Sequence, residues 1–319
     1  MYLGIGWVSS KNIGYPFRGQ RLNLTVSQMR EDVMSSLVDG IEQPVAAPRV
    51  RRITLRTAGY QLGSILRLVS PTDIGRRIKP FVFVDYFDFA PTRDELFRIH
   101  PHSGIATVSI VLNGEARYQD TTGASGIMRK GDVEWLQAGN GVWHDGSAVG
   151  NERLRGYQVW IALPPDQENG PAFSQQVPAG SIPGVGPARV LFGDLAGVRS
   201  PVASTEGVTL LHVRLRAGKT WRFQPPSGQT VAWAHVGSGL VTVDGASLGN
   251  ELFVFDESDD TIVFTARRDA DILVGSAVAH PYDLVVGNHS VHTSVDALRR
   301  AEAEIDRIGR APDCASVPR

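Results

Sequence analysis

Residues two apart on a strand face the same side, and the run Arg98-Ile-His-Pro-His-Ser-Gly104 carries His100 and His102 at that spacing. Two converging imidazoles can bind a transition metal. Pro101 cannot donate to a β ladder, so the pair belongs at a strand beginning or edge, near a barrel mouth where an ion stays open to solvent. His144 is a third candidate. It closes the run Gly131 to Trp143, whose glycines imply tight turns that bring the strand back. A histidine pair alone is more often a structural or surface feature; the patterned third histidine favours ligation. His212, His235, His280, His289 and His292 lack such a setting and read as interior, loop or surface residues, with His289 and His292 left unassigned. Nucleophilic chemistry has little support: no Gly-x-Ser-x-Gly elbow occurs, and the single cysteine is Cys314, in the tail.

The elements that must carry these side chains are strands. From about Arg49 to Ala279 the recurring unit is a short β-branched or aromatic run closed by glycine, asparagine or aspartate, which predicts an all-β fold of barrel or sandwich type. Asn113-Gly114 predicts a hairpin between its flanking strands. If the strand after His102 continues unbroken, Ala106, Val108, Ile110 and Leu112 share the histidines' face and form the barrel interior, with Ser103, Thr107 and Ser109 opposite. Arg98-Ile-His-Pro-His-Ser-Gly104 matches Arg222-Phe-Gln-Pro-Pro-Ser-Gly228 in Arg, Pro, Ser and Gly, so the chain reads as two tandem copies of one barrel. The second copy has Gln224 and Pro226 in place of the histidines, and is expected to be a scaffold without a metal. Leu298, Ala301, Ile305 and Ile308 predict one C-terminal helix, with Thr293 or Ser294 as N-cap.

The expected division is a flexible extension at 1–48, a metal-binding barrel at 49–163, a proline-rich linker at 164–188, a second barrel with the helix at 189–310, and a tail at 311–319. The extension is compatible with a translation start at Met29 or Met34. A formal charge of −1 argues against broad electrostatic capture of nucleic acid. No apolar run reaches the roughly 20 residues of a membrane-spanning helix, and no secretory signal is recognisable, so a cytoplasmic location is expected. Arg49, Arg51, Arg52, Arg76, Arg77 and Lys79 form a local basic cluster, or simply solvated charges.

Taken together, Pro80-Phe-Val-Phe-Val-Asp85, His100-Pro-His-Ser-Gly104 with Thr107-Val108, Gly131-Asp132 with Trp135, Ala138-Gly139 with Gly141 and His144, and Gln158-Val-Trp160 with Leu163-Pro164 resemble the pirin family, two-barrel members of the cupin superfamily, over residues 50–310. The resemblance implies a bicupin of two jelly-roll type barrels, with iron, as Fe(II), held in the first by His100, His102 and His144. It implies one of two functions: quercetin 2,3-dioxygenase activity on a flavonol-like substrate, or a non-enzymatic, redox-responsive role with a protein partner such as a transcription factor. The fourth ligand departs from the pattern. The family's glutamate two residues after the third histidine is Gly146 here, and the glutamate of its Gly-Phe-Glu-Thr-Val run is Ala106. Asp145, on the opposite strand face, reaches the metal only through a sharp backbone turn. What remains is a facial set of neutral nitrogen donors that suits Fe(II) and also accepts Ni, Co, Cu or Zn. Losing the anionic ligand lowers metal affinity and leaves the reaction without that carboxylate as general base; Glu134 and Glu152 are acidic residues of the same barrel, but parity places neither in the cavity.

Overall fold

Strands rich in valine, isoleucine and aromatic residues dominate the computed structural model, which describes residues 50–91, 96–203 and 205–310, with the backbone alone for Leu96, Phe97 and Arg98. The expected extension at 1–48 and tail at 311–319, with Cys314, lie outside these residues. The first half forms a jelly roll of two antiparallel sheets. The larger runs, in spatial order, Phe173–Val177, Val133–Gln137, Ile105–Asn113, Leu154–Ala162, Phe81–Phe89, Ile65–Val69, Tyr60–Leu62. The smaller contains Leu96–His102, Val142–Val149, Glu115–Asp120 and Ser125–Met128. The second half is built on a nine-stranded sheet centred on Val231–Val243 and Ile262–Ala277. The all-β bicupin fold expected from the sequence is the fold observed.

Phe81–Phe89, Ile105–Asn113 and Leu154–Ala162 are buried on both faces because each face meets a different partner. Val84, Val108, Ile110, Trp135 and Tyr157 share one apolar core with Phe192, Leu210, Trp233 and Leu273 of the second lobe. Trp135 lies 4.8 Å from Phe192 between ring centres, and Phe81 meets Trp233 edge-on at 5.4 Å. The opposite face looks into the first lobe. Phe83, Asp85, Ser109, Glu134, Gln158 and Trp160 line a cavity there.

This arrangement reverses the parity expected after His102. Ala106, Val108, Ile110 and Leu112 pack toward the second lobe, and Ser109 faces the cavity. The cause is Gly104. It has a φ of +71°, and it separates Leu96–His102 from Ile105–Asn113, which belong to different sheets. Asn113-Gly114 behaves alike. Gly114 makes the turn at φ +76°, yet the strands it joins do not pair, because Glu115–Asp120 crosses to the smaller sheet.

Strand exchange ties the lobes together. Ile53–Thr57 pairs with Leu252–Phe255 of the second lobe, and Phe173–Val177, inside the proline-rich stretch, pairs with Val133–Gln137 of the first. Arg51, read from sequence as a surface charge, is fully buried and donates to the backbone carbonyls of Thr230 and Asp256. The helix Val295–Gly309 is capped by Ser294, whose side chain accepts from Ala297 N at 3.2 Å, and it buries Ala297, Ala301 and Ile305. Trp143 Nε1 donates to Ile305 O at 3.0 Å, which docks the helix beside His144.

Gly104 is the tightest point of this design. A Cβ there would sit 2.0 Å from Val291 O and 2.8 Å from the His292 ring, in a backbone conformation that disfavours any side chain. Gly104→Ala is expected to lower unfolding stability by about 2–4 kcal/mol. A urea unfolding midpoint equal to wild type would show that the C-terminal segment does not press on this glycine.

Candidate metal centre

Antiparallel pairing of Val142–Val149 with Leu96–His102 sets His144 directly opposite His100 and Val142 opposite His102. All three imidazoles therefore meet on one wall. Their ring centres are 4.7 Å apart for His100 and His102, 4.5 Å for His100 and His144, and 4.9 Å for His102 and His144. One ligand atom from each lies within 4.8 Å of the other two, and among the described residues no other three His, Cys, Asp or Glu side chains converge in this way. In the second lobe the residues matching the histidine pair differ in chemistry: Gln224 is an amide and Pro226 has no donor atom in its side chain. Gln224 donates to Asp259 O at 2.6 Å and accepts from Thr261, on an exposed edge.

His102 is fully buried. Its Nδ1 lies 2.8 Å from the His289 carbonyl, which can only accept, so Nδ1 carries the proton and Nε2 the lone pair. That Nε2 has no hydrogen-bond partner within the protein, while Nε2 of His100 and of His144 lie 3.1 Å apart. A buried lone pair without a donor, next to two nitrogens that cannot both accept from each other, fits a cation at their meeting point. Burial, and then the neighbouring imidazoles, hold His102 well below the usual histidine range and His144 down at about 3. Both remain neutral at any physiological pH. The Trp160 ring meets His102 edge-on at 4.8 Å, stacks on Phe83 at 3.9 Å, and Phe83 in turn lies under the Arg67 guanidinium at 4.0 Å. Arg67 is fixed by its ion pair with Asp85. This stack braces His102 from the cavity side.

The cavity has a volume of about 300 Å³, and its wall includes His100, His144, Phe83, Met128, Tyr118 and Trp160. Sequence parity had not placed Glu134 here. It lies opposite Ser109 on the neighbouring strand, accepts a hydrogen bond from it, and lines the cavity. Burial raises its carboxyl to about 7, against the Ser109 hydrogen bond and with help from Asp120. Glu152, the other candidate, is held by Asn113 at the exposed surface. Asp145 and Gly146 reach the cavity wall at a register shift in the pairing with Leu96–His102, and the Asp145 carboxylate accepts from Gln119 Nε2 at 3.0 Å. Ala106 faces the other lobe, away from the histidines.

A second contribution that sequence reasoning missed comes from the far end of the chain. His289 lines the cavity, and its carbonyl fixes His102. His292 Nε2 is 2.9 Å from Ser103 Oγ, and its Nδ1 is 3.3 Å from Glu168, whose carboxylate also accepts from Thr293 N at 2.6 Å. Ser103 Oγ donates to Ser290 Oγ at 2.9 Å. No local spacing signals these contacts, because the partners are 187 residues apart for His102 with His289.

Residues 64–161, which contain this site, match the family model described as Pirin. A Pseudomonas aeruginosa protein provisionally named as a quercetin 2,3-dioxygenase is 30% identical over 65% of this chain and 78% of its own length. The chain belongs to the pirin family. A pirin-like protein of Caulobacter vibrioides is likewise 30% identical, over 63% of this chain and 77% of its own. The fold agrees with solved structures. A quercetin 2,3-dioxygenase from Acinetobacter baumannii superposes with a TM-score of 0.74 at 23% identity, covering 82% of this chain and 98% of that one. The Escherichia coli pirin YhhW, in complex with nickel(II), superposes at 0.57 and 18%, covering 73% and 100%. The neutral nitrogens and the cavity carboxyl are the chemistry this site presents.

Because the folded-state value for Glu134 is raised, the native protein keeps a proton that the unfolded chain releases, so stability falls as pH rises from about 4.5 to about 7 and is level above. Glu134→Gln has no charge to bury. In metal-free protein, the variant's stability relative to wild type is expected to climb across that window by up to roughly 3 kcal/mol. Thermal melts at a series of pH values check this, and a constant difference would place the Glu134 titration elsewhere.

Proposed function

We propose that this pirin is an iron-dependent dioxygenase acting on a flat, enolic aromatic of flavonol type, with His100, His102 and His144 as metal ligands and Glu134 as proton acceptor. The convergence of three neutral imidazoles on the wall of a largely apolar cavity carries the reading. The name of the Pseudomonas aeruginosa relative supports the substrate class. Fe(II) is the assigned ion, although imidazole donors also accept Ni, Co, Cu and Zn. Bound there, the ion supplies Lewis-acid polarisation of a substrate oxygen and electron exchange with dioxygen.

The chain's own residues do the remaining work. Phe83, Trp160 and Met128 offer flat and adaptable apolar surface to an aromatic ring, and they exclude water from it. Glu134, buried in the same wall with a carboxyl near 7, is poised to take the hydroxyl proton of the substrate at neutral pH. Ser109, hydrogen-bonded to that carboxylate, fixes its orientation. In this reading the proton acceptor stands in the cavity wall and is not a ligand, which compensates for the absence of a carboxylate at Gly146.

Two measurements test the proposal. Elemental analysis should find about one metal per chain in wild type, and little or none when His100, His102 and His144 are all alanine; stoichiometric binding that survives those changes would locate the site elsewhere. Oxygen consumption with quercetin by the iron-loaded protein should fall about a hundredfold or more in Glu134→Gln, with loss of the limb in kcat/KM near pH 7 that the carboxyl generates. An iron-replete wild type that consumes no oxygen with any of a panel of flavonols would overturn the enzymatic reading.

A further inference from the structure

We infer that His289 is a fourth metal ligand, supplied by the C-terminal segment in place of a carboxylate at position 146. The inference rests on the metal centre proposed above. Position 146 is glycine, Ala106 faces the other lobe, and Asp145 is held by Gln119. The His289 imidazole, by contrast, lines the cavity with its ring centre 5.5 Å from that of His100 and 6.1 Å from that of His102. A ring nitrogen about 2.1 Å from an ion puts the ring centre about 3.2 Å from it, so two rings on one ion can lie at most about 6.4 Å apart. Both separations fall inside that limit. The three other rings lie 4.5–4.9 Å from one another, so His289 is the outermost of the four.

The backbone around His289 is built to hold it there. Its residue turns between the paired segments Val285–Val286 and Val291–His292, with a φ of +61°, a left-handed conformation uncommon for a residue with a side chain. Gly287 N donates to Ser290 O at 2.9 Å across the turn, and Val291 N donates to Ser103 O at 3.2 Å beside the ligand strand. The His289 carbonyl accepts from His102 Nδ1, so one residue both orients an existing ligand and presents a further imidazole. The backbone is fixed, whereas the exposed ring can turn about its side-chain bonds to complete the approach, since its nitrogens stand outside the set that already converges within 4.8 Å. The resulting donor set is four neutral nitrogens. It would hold an ion without cancelling any of its charge, and it favours metals that imidazole suits over those that prefer carboxylate.

The test uses Cu(II) and Ni(II) as probes on the full chain. Asparagine and glycine both tolerate the left-handed backbone and keep the carbonyl, so His289→Asn and His289→Gly remove the imidazole while leaving the His102 hydrogen bond. Chelator competition near neutral pH should show affinity for both ions falling by about tenfold or more in each variant. Pulsed electron paramagnetic resonance of the Cu(II) protein should count four coordinated imidazoles in wild type and three in the variants. The wild-type count reads the inference directly, whatever the variants do to folding. Three imidazoles in wild type, or wild-type affinity in both variants, overturns the fourth ligand while leaving the three-histidine centre standing. A wild type that binds neither ion overturns both.

Discussion

An imidazole buried at the end of a strand can offer a lone pair to a metal only if its other nitrogen is committed, and in this pirin that commitment is the hydrogen bond from His102 Nδ1 to the His289 carbonyl. Much of the architecture serves that contact. The segment bearing His289 must be held against the ligand strand, which the Ser103, Ser290, His292 and Glu168 network does from inside. The helix that follows must dock, which Ser294 at its cap and Trp143 on its face accomplish. Gly104 must lack a side chain for the two segments to approach at all. Sequence ends that lie far apart in the chain thus form one site, and ligand geometry is coupled to folding of the C-terminal segment.

What the sequence made legible was chemistry with local spacing. His100 and His102 at strand spacing, His144 after a glycine-punctuated run, the all-β architecture and the capped C-terminal helix could be read because each depends on residues close together in the chain. The failures of face and pairing share one physical cause. Parity arguments assume an unbroken strand, and Gly104 breaks it by sending the chain from one sheet to the other, so the face assigned to Val108 and Ile110 was inverted. The same crossover at Gly114 turned an expected hairpin into a corner. Glu134 could not be assigned for the same reason: its place in the cavity follows from pairing with Ser109, which already faces the opposite way from the expected one. The exchanged strand Ile53–Thr57 and the buried Arg51 were hidden for another reason, since their partners lie some two hundred residues away.

The second lobe explains why the first can tolerate a site made of unsatisfied groups. Its sheet offers apolar surface to the back of the larger first-lobe sheet, and the two exchange strands, so the wall carrying Ser109, Glu134, Gln158 and Trp160 is clamped from behind. Tyr157 and His235 Nδ1 add a buried hydrogen bond at 2.7 Å across this core, where burial holds His235 down at about 3 and therefore neutral. A rigid, apolar backing keeps the dielectric low on the cavity side. That is the condition under which a carboxyl stays near 7 and imidazoles stay neutral.

A glutamate that both binds a metal and takes a substrate proton must compromise, because coordination lowers its basicity as it compensates charge. In the function proposed here the two roles fall on separate positions. In that reading the histidine set would leave the ion's charge intact and so strengthen its pull on an anionic substrate oxygen, while Glu134 would keep in the cavity wall the basicity that burial gives it. Buried neutral ligands weaken the hold on the ion, so a chain built this way must recover affinity from geometry. The covalent distance between the ligand strand and the C-terminal turn makes that recovery conditional on the completed fold. If His289 joins the three histidines as proposed, metal retention becomes a property of the whole two-lobed chain, because the first lobe carries only three of the four imidazoles.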